Sequence, residues 1–249
     1  MVFCFKHKSM ISPRRPRDPK CILIGMAIGN GTTRWETSLA LISLLVSGLT
    51  EYEFAIVPMG GCDIAHARNL LIHAWHTQYT HCGKLLFIDS DVKFTADDIF
   101  KIISKELDIV GGLYPLSGNG LRWSYNGWSR WSPKYPELWE VQELCTGFMC
   151  ISWNVIEHML EHCYWVKPFV VEDWQYRGET AYEFFWMGVH EGRRFSEDFY
   201  FSMRAREAGF DIYVDPQVQL DHIKTVGLLS FILPDGKTKL TLQEMKPNS

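Results

Sequence analysis

Two carboxylates follow a buried apolar run near the middle of the sequence. Asp89 and Asp91, separated by Ser90, come directly after the run Leu85–Ile88. If that run is a strand of a parallel sheet, both side chains emerge at its carboxyl edge, where α/β folds bind ligands. Carboxylates one residue apart in a loop can present oxygens to a hard divalent cation, and such a cation neutralises a diphosphate leaving group. The triplet is a candidate metal and nucleotide site, although aspartate is also a favoured turn residue after strands.

A second acidic pair, Glu197-Asp198, lies in the first turn of a predicted helix. That helix begins after Ser196, a suitable N-cap, runs through Arg206 and stops at Gly209, and a strand is predicted to follow at Asp211–Val214. Acidic residues are common in a first turn because they complement the helix dipole. The same field favours the ionised carboxylate, which is the form in which a general base must start. The position alone leaves both interpretations open.

The elements that would position these residues alternate along the first half of the chain. Short apolar runs predict strands, and each is followed by a helical pattern, which is typical of βα units on a mostly parallel sheet. The predicted strands are Cys21–Ala27, Phe54–Val57, Lys84–Ile88 and Ile109–Tyr114, and the predicted helices are Glu36–Leu49, Ile64–Trp75 and Thr95–Lys105. We therefore predict an α/β fold with an open, mostly parallel twisted sheet flanked by helices. Its first half is Rossmann-like and suited to a nucleotide.

One folded domain with a tail at each end is predicted. A chain of 249 residues with 47% hydrophobic content can bury a sizeable core. Residues 1–20 are predicted to be a basic, disordered lead-in, residues 21–225 the folded domain, and residues 226–249 a C-terminal tail or flap. Within the domain, residues 21–115 form the nucleotide-fold half. Residues 116–225 form a second half, whose early part is rich in glycine, proline and aromatic residues and predicts loops and short strands.

The charge of the chain is unevenly distributed. The first twenty residues hold six basic residues and one acidic residue, so their net charge is +5. The formal total is −4, which leaves −9 for residues 21–249. An acidic body argues against general binding to nucleic acid phosphates.

The sequence predicts a cytoplasmic protein without a transmembrane segment. The longest apolar run, Leu39–Val46, is far shorter than a spanning helix, and the N-terminus lacks an apolar signal core. Seven cysteines are an odd number with no Cys-x-x-Cys pair, which fits reduced thiols in a cytosol. Zinc binding by cysteines is therefore not expected.

Several segments together resemble a known family. The run Ala65-His66-Ala67-Arg68-Asn69, followed by Leu85 through Asp91, is similar to family 2 type GT-A glycosyltransferases, particularly their short bacterial, phage and viral members. Later segments agree in order: Gly111–Pro115, Thr146-Gly147-Phe148, Ser196–Tyr200, and Asp215-Pro216 through His222. The resemblance covers roughly residues 21–225. It implies a GT-A fold in which residues 116–225 are the acceptor half.

The resemblance also implies an activity and its metal. A sugar would pass from a nucleoside diphosphate sugar to the hydroxyl of a glycan or another acceptor. By similarity, Asp91 ligates Mn²⁺ or Mg²⁺, Asp89 contacts the donor ribose or the metal's water shell, and His222 supplies a further ligand. A structural role for His222, as a satisfied surface or core histidine, remains an alternative.

The catalytic roles follow by the same similarity. Asp198 is assigned as the general base that takes the proton of the acceptor, and Glu197 as the neighbour that orients the acceptor. Transfer is then a single displacement that inverts the anomeric configuration. Arg68 and Asn69 are expected to lie near the nucleotide or to hold the Asp89 loop, and Thr146 and Gly147 are expected close to the acceptor or the donor sugar. Arg68 could instead form a structural ion pair, and Thr146-Gly147 could be an ordinary turn.

Two rival functions remain open at this point. The stretch Gly29–Arg34 faintly resembles the glycine loop of sugar nucleotidyltransferases, but Thr33 interrupts that pattern. A non-catalytic glycan-binding protein on a degenerate GT-A fold is the other alternative, with the aromatic stretch Trp123–Trp186 as its platform. Sugar binding without donor hydrolysis or transfer would favour the binding protein.

Overall fold

A computed structural model describes residues 16–29, 31–47, 51–116, 122–173 and 175–223, together with the backbone of residues 226–232 and 238–244. Its first strand begins at Asp18, three residues before the predicted start at Cys21. Arg17 is ordered as well, because its guanidinium stacks 3.5 Å from the ring centroid of Trp153. The end of the predicted lead-in is thus part of the fold, and residues 1–15 lie outside the described residues.

The described residues form five helices and eighteen strands. The helices are α1 (Trp35–Val46), α2 (Ile64–Thr77), α3 (Ala96–Ile103), α4 (Trp153–His162) and α5 (Glu197–Glu207). The strands are β1 (Asp18–Ile28), β2 (Glu53–Gly60), β3 (Cys82–Ile88), β4 (Val92–Lys93), β5 (Ile109–Leu113), β6 (Pro115–Leu116), β7 (Arg122–Trp123), β8 (Tyr125–Trp131), β9 (Trp139–Leu144), β10 (Phe148–Ser152), β11 (Lys167–Val170), β12 (Thr180–Glu183), β13 (Gly188–His190), β14 (Arg193–Phe195), β15 (Tyr213–Gln219), β16 (Asp221–His222), β17 (Val226–Ile232) and β18 (Thr238–Glu244).

Eight of these strands form one mixed sheet in the order β2-β1-β3-β10-β5-β15-β9-β8. Strands β2, β1 and β3 are parallel, and β5 is parallel to β15. Strand β10 runs antiparallel between β3 and β5, and β9 runs antiparallel between β15 and β8. Six of the eight strands therefore point the same way. This confirms the predicted α/β fold with an open, mostly parallel sheet.

Helices cover both faces of the sheet. Because side chains alternate along a strand, Leu23 of β1 packs into the core beneath α2, α4 and α5. Its neighbours Ile22 and Ile24 pack into a second core beneath α1 and α3. A strand that is buried on both faces has a continuous apolar sequence, which explains why β1 and β3 could be predicted from the sequence.

The differences from the predicted elements lie mainly in the second half. Strand β10 and helix α4 were not predicted, and β8 is a seven-residue strand in a region expected to hold only loops and short strands. The strand predicted at Asp211–Val214 begins at Tyr213 and continues to Gln219. In the first half, α3 is shorter than predicted, because Thr95 is its N-cap and forms a capping box with Asp98.

The C-terminal residues that are described form a hairpin. Strands β17 and β18 pair antiparallel within the segment predicted as a tail or flap. Among the helices of the described residues, none combines the length and the apolar character needed to cross a membrane.

Candidate active site

Two loops meet at the carboxyl edge of the sheet. The loop between β1 and α1 reaches the Asp89–Asp91 loop after β3, and the backbone N–H of Arg34 donates to the carbonyl oxygen of Ser90 at 2.8 Å. The hydroxyl of Thr37 donates to the carbonyl oxygen of Val92 at 2.9 Å. One backbone and one side-chain hydrogen bond therefore hold the start of α1 against the Asp89–Asp91 loop and β4.

Arg68 joins two of the predicted acidic positions. It lies on α2, and only 3% of its side chain is exposed. One guanidinium nitrogen donates to Asp89 Oδ1 at 3.0 Å, and the other donates to Glu197 Oε1. Three residues from distant parts of the sequence thus form one buried charge cluster, and Arg68 is both an ion-pair residue and a neighbour of the Asp89 loop.

Burial shifts the protonation equilibria of this cluster. Desolvation raises the pKa of Asp89 and of Glu197, and the Arg68 guanidinium opposes that shift in both groups. Burial alone would lower the pKa of Arg68, but the carboxylates of Asp89 and Glu197 outweigh it and raise this pKa. Arg68 therefore carries a permanent positive charge directly beneath the Asp89 loop.

Glu197 and Asp198 have different surroundings although they are adjacent in the chain. Glu197 is buried against Arg68 and belongs to the charge cluster, and its expected part in orienting the acceptor stays a prediction. Asp198 is half-buried and accepts from the hydroxyl of Ser196 and from the backbone N–H of Phe199. Of the two carboxylates, Asp198 is the more exposed one.

Asp91 and His222 form a second polar pair beside the cluster. The short antiparallel pairing of β16 with β4 places His222 opposite Val92, and Asp91 Oδ2 lies 3.2 Å from His222 Nε2. His222 Nδ1 lies 2.8 Å from the carbonyl oxygen of Pro115. A carbonyl only accepts, so Nδ1 carries the proton and donates. Nε2 is the ring nitrogen that faces the carboxylate.

This pair has the donor atoms that a divalent cation needs. An imidazole that donates through one nitrogen to a carbonyl and presents the other toward a carboxylate is the usual arrangement of a ligating histidine. Octahedral ligands about 2.1 Å from a small divalent cation lie roughly 3 Å apart, which is close to the observed Asp91–His222 separation. The side chains of Asp91 and His222 therefore fit a shared Mn²⁺ or Mg²⁺.

Tyr114 was not singled out by the sequence. It is buried, its hydroxyl accepts from the backbone N–H of Gly147 at 3.1 Å, and its ring packs edge-on against His222 with centroids 5.3 Å apart. Burial raises the pKa of Tyr114 well above its usual value, so the phenol stays neutral. The segment Gly111–Pro115 contributes to the family resemblance, which assigns no role to its tyrosine.

The Thr146-Gly147 turn packs against Asp89 of the charge cluster. The backbone N–H of Asp89 donates to the carbonyl oxygen of Gly147 at 3.0 Å. A Cβ atom at Gly147 would lie 2.7 Å from Asp89 Oδ2 and would also clash with the Tyr114 hydroxyl. Thr146 is fully buried, and its hydroxyl has no partner in the described part of the chain. The predicted close approach of this turn to the site is thus a contact with Asp89.

The chain is similar in fold to several solved proteins at low sequence identity. A protein from STIV is 16% identical, with a TM-score of 0.44 over 92% of this chain and 98% of that one. A glycosyltransferase involved in glycosylation of the major capsid of PBCV-1 is 13% identical, with a TM-score of 0.34 over 58% and 69%. The catalytic domain of Drosophila beta1,4-galactosyltransferase 7, solved with xylobiose, is 10% identical, with a TM-score of 0.46 over 91% and 95%. No family model and no curated protein matches the chain.

Asn69 contacts the segment after β12, and its expected place near the nucleotide stays a prediction. It is buried on α2, accepts from the backbone N–H groups of Phe184 and Phe185 at 2.8 and 2.9 Å, and donates to the carbonyl oxygen of Phe185. Its side chain therefore holds the segment after β12 rather than the Asp89 loop. Phe185 in turn stacks on Phe201 of α5, so Asn69 helps to align the helix that carries Asp198.

A cavity of about 450 Å³ opens beside the N-terminus of α2. Its walls combine aromatic, apolar and acidic side chains: Asp63, Ala65, His66, Asn69, Phe169, Glu183, Phe185, Trp186 and Met187. Trp186 also packs against Tyr200 of α5, with ring centroids 5.1 Å apart. The cavity is therefore connected through two aromatic contacts to the helix that begins with Glu197 and Asp198.

Proposed function

We propose that this chain is a metal-dependent glycosyltransferase that moves a sugar from a nucleoside diphosphate sugar to an acceptor hydroxyl. The observation that carries the proposal is the grouping of three separate functions at one sheet edge. Asp91 and His222 would offer a cation site, Arg68 orients Asp89 through an ion pair, and Asp198 is a separate, half-buried carboxylate. Sugar transfer from a nucleotide needs these three functions together.

The donor would bind against the β1–α1 and Asp89–Asp91 loops. A Mn²⁺ or Mg²⁺ ion held by Asp91 and His222 would offset the negative charge of the leaving diphosphate. Asp89, oriented by Arg68, would accept hydrogen bonds from the ribose or from the water shell of the cation. Gly147 keeps this carboxylate uncovered, because any side chain there would press on it.

The acceptor would lose its proton to Asp198. The acceptor oxygen forms a bond to C1 of the sugar, the bond from C1 to the diphosphate breaks, and the hydroxyl proton passes to the Asp198 carboxylate. Attack opposite the leaving group inverts the configuration at C1. Ser196 and the N–H of Phe199 hold the carboxylate in position for that transfer.

A transfer assay tests this proposal. The purified chain is incubated with Mn²⁺ and a panel of nucleoside diphosphate sugars, with and without a mixture of saccharide acceptors, and released nucleoside diphosphate is measured. We expect release from one donor, faster with an acceptor and abolished by a chelator. Release of pyrophosphate from a nucleoside triphosphate and a sugar phosphate would instead support the nucleotidyltransferase. Saccharide binding without any release would contradict an enzyme.

A further inference from the structure

A second cluster of ligand-type side chains lies at the opposite edge of the sheet. Cys21 is near the start of β1, and Cys82 is the first residue of the neighbouring strand β3. Both are buried, and their sulfur atoms are 2.8 Å apart although the residues are 61 positions apart in the chain. His81 precedes Cys82. Asp89 follows Cys82 by seven positions along β3, so this cluster lies about 20 Å from the candidate active site.

We propose that Cys21, His81 and Cys82 form a binding site for a zinc(II)-type ion. Their two sulfur atoms and one imidazole nitrogen all lie within 4.8 Å of one another. Among the divalent cations of the cell, zinc is well suited to two thiolates and an imidazole as ligands, whereas Mn²⁺ and Mg²⁺ prefer oxygen. The sequence did not predict this site, because the two cysteines belong to different strands and have no Cys-x-x-Cys spacing.

The distances suit a tetrahedral ion after a small adjustment. With Zn–S bonds of about 2.3 Å, two sulfurs of one tetrahedral site lie roughly 3.8 Å apart. Cys21 and Cys82 would therefore separate by about 1 Å, which stays within the span of the cluster. On binding, each S–H bond is replaced by an S–Zn bond, and two protons leave to solvent. Burial raises the pKa of both thiols, so without an ion they remain protonated.

The backbone around the cluster is held by side chains from outside it. The carbonyl oxygen of Cys82 accepts from Trp75 Nε1 at 2.8 Å and from the Arg17 guanidinium at 2.9 Å. The backbone N–H of Cys82 donates to the carbonyl oxygen of Tyr79 at 3.0 Å, which closes the turn that carries His81. Two of the three ligands are thus presented by a fixed turn, and preorganisation of this kind favours metal binding.

The cluster has both an entry path and a source of a fourth ligand. The side chain of His81 is 47% exposed, so an ion can reach the buried sulfurs from solvent on its side. Glu53 of β2 pairs with Cys21 across the sheet, and its Oε1 lies 3.8 Å from His81 Nε2. An ion at this position would cross-link β2, β1 and β3 at their amino ends. Its role would be structural, since the candidate active site lies at the other end of the same strands.

Titration of the reduced, metal-free chain with Co²⁺ tests the site. We expect a thiolate-to-metal charge-transfer band whose intensity corresponds to one thiolate-bound ion per chain, and its loss when Zn²⁺ displaces that ion. Cys21→Ser and Cys82→Ser should each abolish the band, and His81→Ala should weaken binding by roughly tenfold or more. Cys150→Ser is the matched control, because Cys150 is equally buried in the same sheet but lies outside the cluster. It should leave the titration unchanged.

Three outcomes would overturn the proposal. The first is the absence of a charge-transfer band in the wild-type chain, and the second is a band that survives Cys21→Ser. The third is a peptide map that finds a Cys21–Cys82 disulfide in protein prepared with metal present. His81→Ala keeps the test decisive if a buried serine prevents folding, because His81 is half-exposed and its removal leaves the core intact. The oxygen and nitrogen ligands of the candidate active site give no thiolate band, so the two sites are distinguishable.

Discussion

At the residue scale, the three carboxylates of the candidate site differ in whether they form an ion pair with Arg68. Asp89 and Glu197 share the guanidinium of Arg68, so both carboxylates have an ion-pair partner inside the protein. Asp198 takes its hydrogen bonds from Ser196 and Phe199 and keeps contact with solvent. A paired carboxylate is suited to holding other groups in place, and an accessible one is suited to accepting a proton. This division favours Asp198 over Glu197 as the base.

Replacing Asp198 by asparagine should stop transfer without affecting the donor. The amide keeps the shape of the side chain but cannot take a proton, so we expect turnover to fall by roughly 10²- to 10⁴-fold. Donor affinity, measured by calorimetry in the presence of Mn²⁺, should be unchanged. Asp97→Asn is the control, since Asp97 is an exposed carboxylate on α3. Near-normal turnover of Asp198→Asn would show that another group is the base.

Arg68→Met should destabilise the fold strongly. It leaves Asp89 and Glu197 unpaired, and removing one partner of a buried ion pair costs about 3–5 kcal/mol of unfolding free energy. Adding Glu197→Gln should recover part of this loss, because one unmatched charge is then removed. Denaturant unfolding of the single and double variants measures both effects. If the Arg68→Met variant were as stable as the wild type, pairing with Arg68 would not be what stabilises the two buried carboxylates.

The loss caused by Arg68→Met should also depend on pH. Burial raises the pKa of Asp89 and of Glu197, and the loss of Arg68 raises them further. A carboxyl group whose pKa is higher in the folded state binds more protons there, so stability is retained at low pH and falls as pH rises through the raised pKa. The deficit of the variant relative to the wild type should therefore grow as the pH rises above about 4.

At the element scale, the site depends on a strand that runs against its neighbours. Strand β10 lies antiparallel between β3 and β5, and the turn that leads into it places Gly147 under the Asp89 loop. Tyr114, which follows β5, reaches the same turn with its hydroxyl. Two strands and two loops therefore fix one carboxylate, which is more support than the loop after β3 could give alone.

Gly147→Ala should disturb this support. The added methyl group would clash with the Tyr114 hydroxyl and approach Asp89 Oδ2, at a cost of about 1–3 kcal/mol for overpacking. Displacement of Asp89 by about 1 Å would lower turnover by roughly 100-fold. Thermal unfolding and transfer assays measure the two effects. Tyr114→Phe in the same chain should restore part of the stability, and a Gly147→Ala variant equal to the wild type in both assays would contradict this picture.

Local sequence patterns were sufficient for the first half of the fold. Strands β1 and β3 are continuous apolar runs, and α2 and α3 follow strands with recognisable helical patterns, so their order could be predicted. The position of β10 in the sheet could not be predicted, because nothing in the sequence Phe148–Ser152 indicates that its partners are β3 and β5. Pairing between segments that are sixty residues apart is decided by tertiary packing, which periodicity does not encode.

The same limit applies to the site. The position of Asp89 and Asp91 at the carboxyl edge could be predicted from the strand before them, and Asp198 as the base stays a prediction from the family resemblance. The bridge from Arg68 to Glu197 spans 129 positions, and the bond from His222 to the Pro115 carbonyl spans 107. Contacts of this kind have no signature in spacing. Tyr114 had none either, because a buried tyrosine beside a strand has the same pattern as an ordinary core residue.

At the scale of the whole molecule, the two edges of the sheet have different chemistry. The carboxyl edge gathers carboxylate and imidazole side chains, which suit a hard cation. The amino edge holds two thiols and an imidazole, which suit a softer ion. Helices on both faces bury the sheet between these edges, so the two sites are separated by packed core. Activity and structural metal binding can therefore be tested independently.

The most direct test of the central claim is thermal unfolding against a panel of nucleoside diphosphates and their sugars, with and without Mn²⁺. A ligand at 100 times its Kd adds about 2.7 kcal/mol of stability, which raises the melting temperature by roughly 5–10 °C for a chain of this size. We expect this rise with one nucleotide only when Mn²⁺ is present, its loss in Asp91→Asn, and its retention in Asp97→Asn. No shift with any nucleotide, or a shift that is equal without Mn²⁺ and in Asp91→Asn, would contradict a metal-dependent donor site at the Asp89–Asp91 loop.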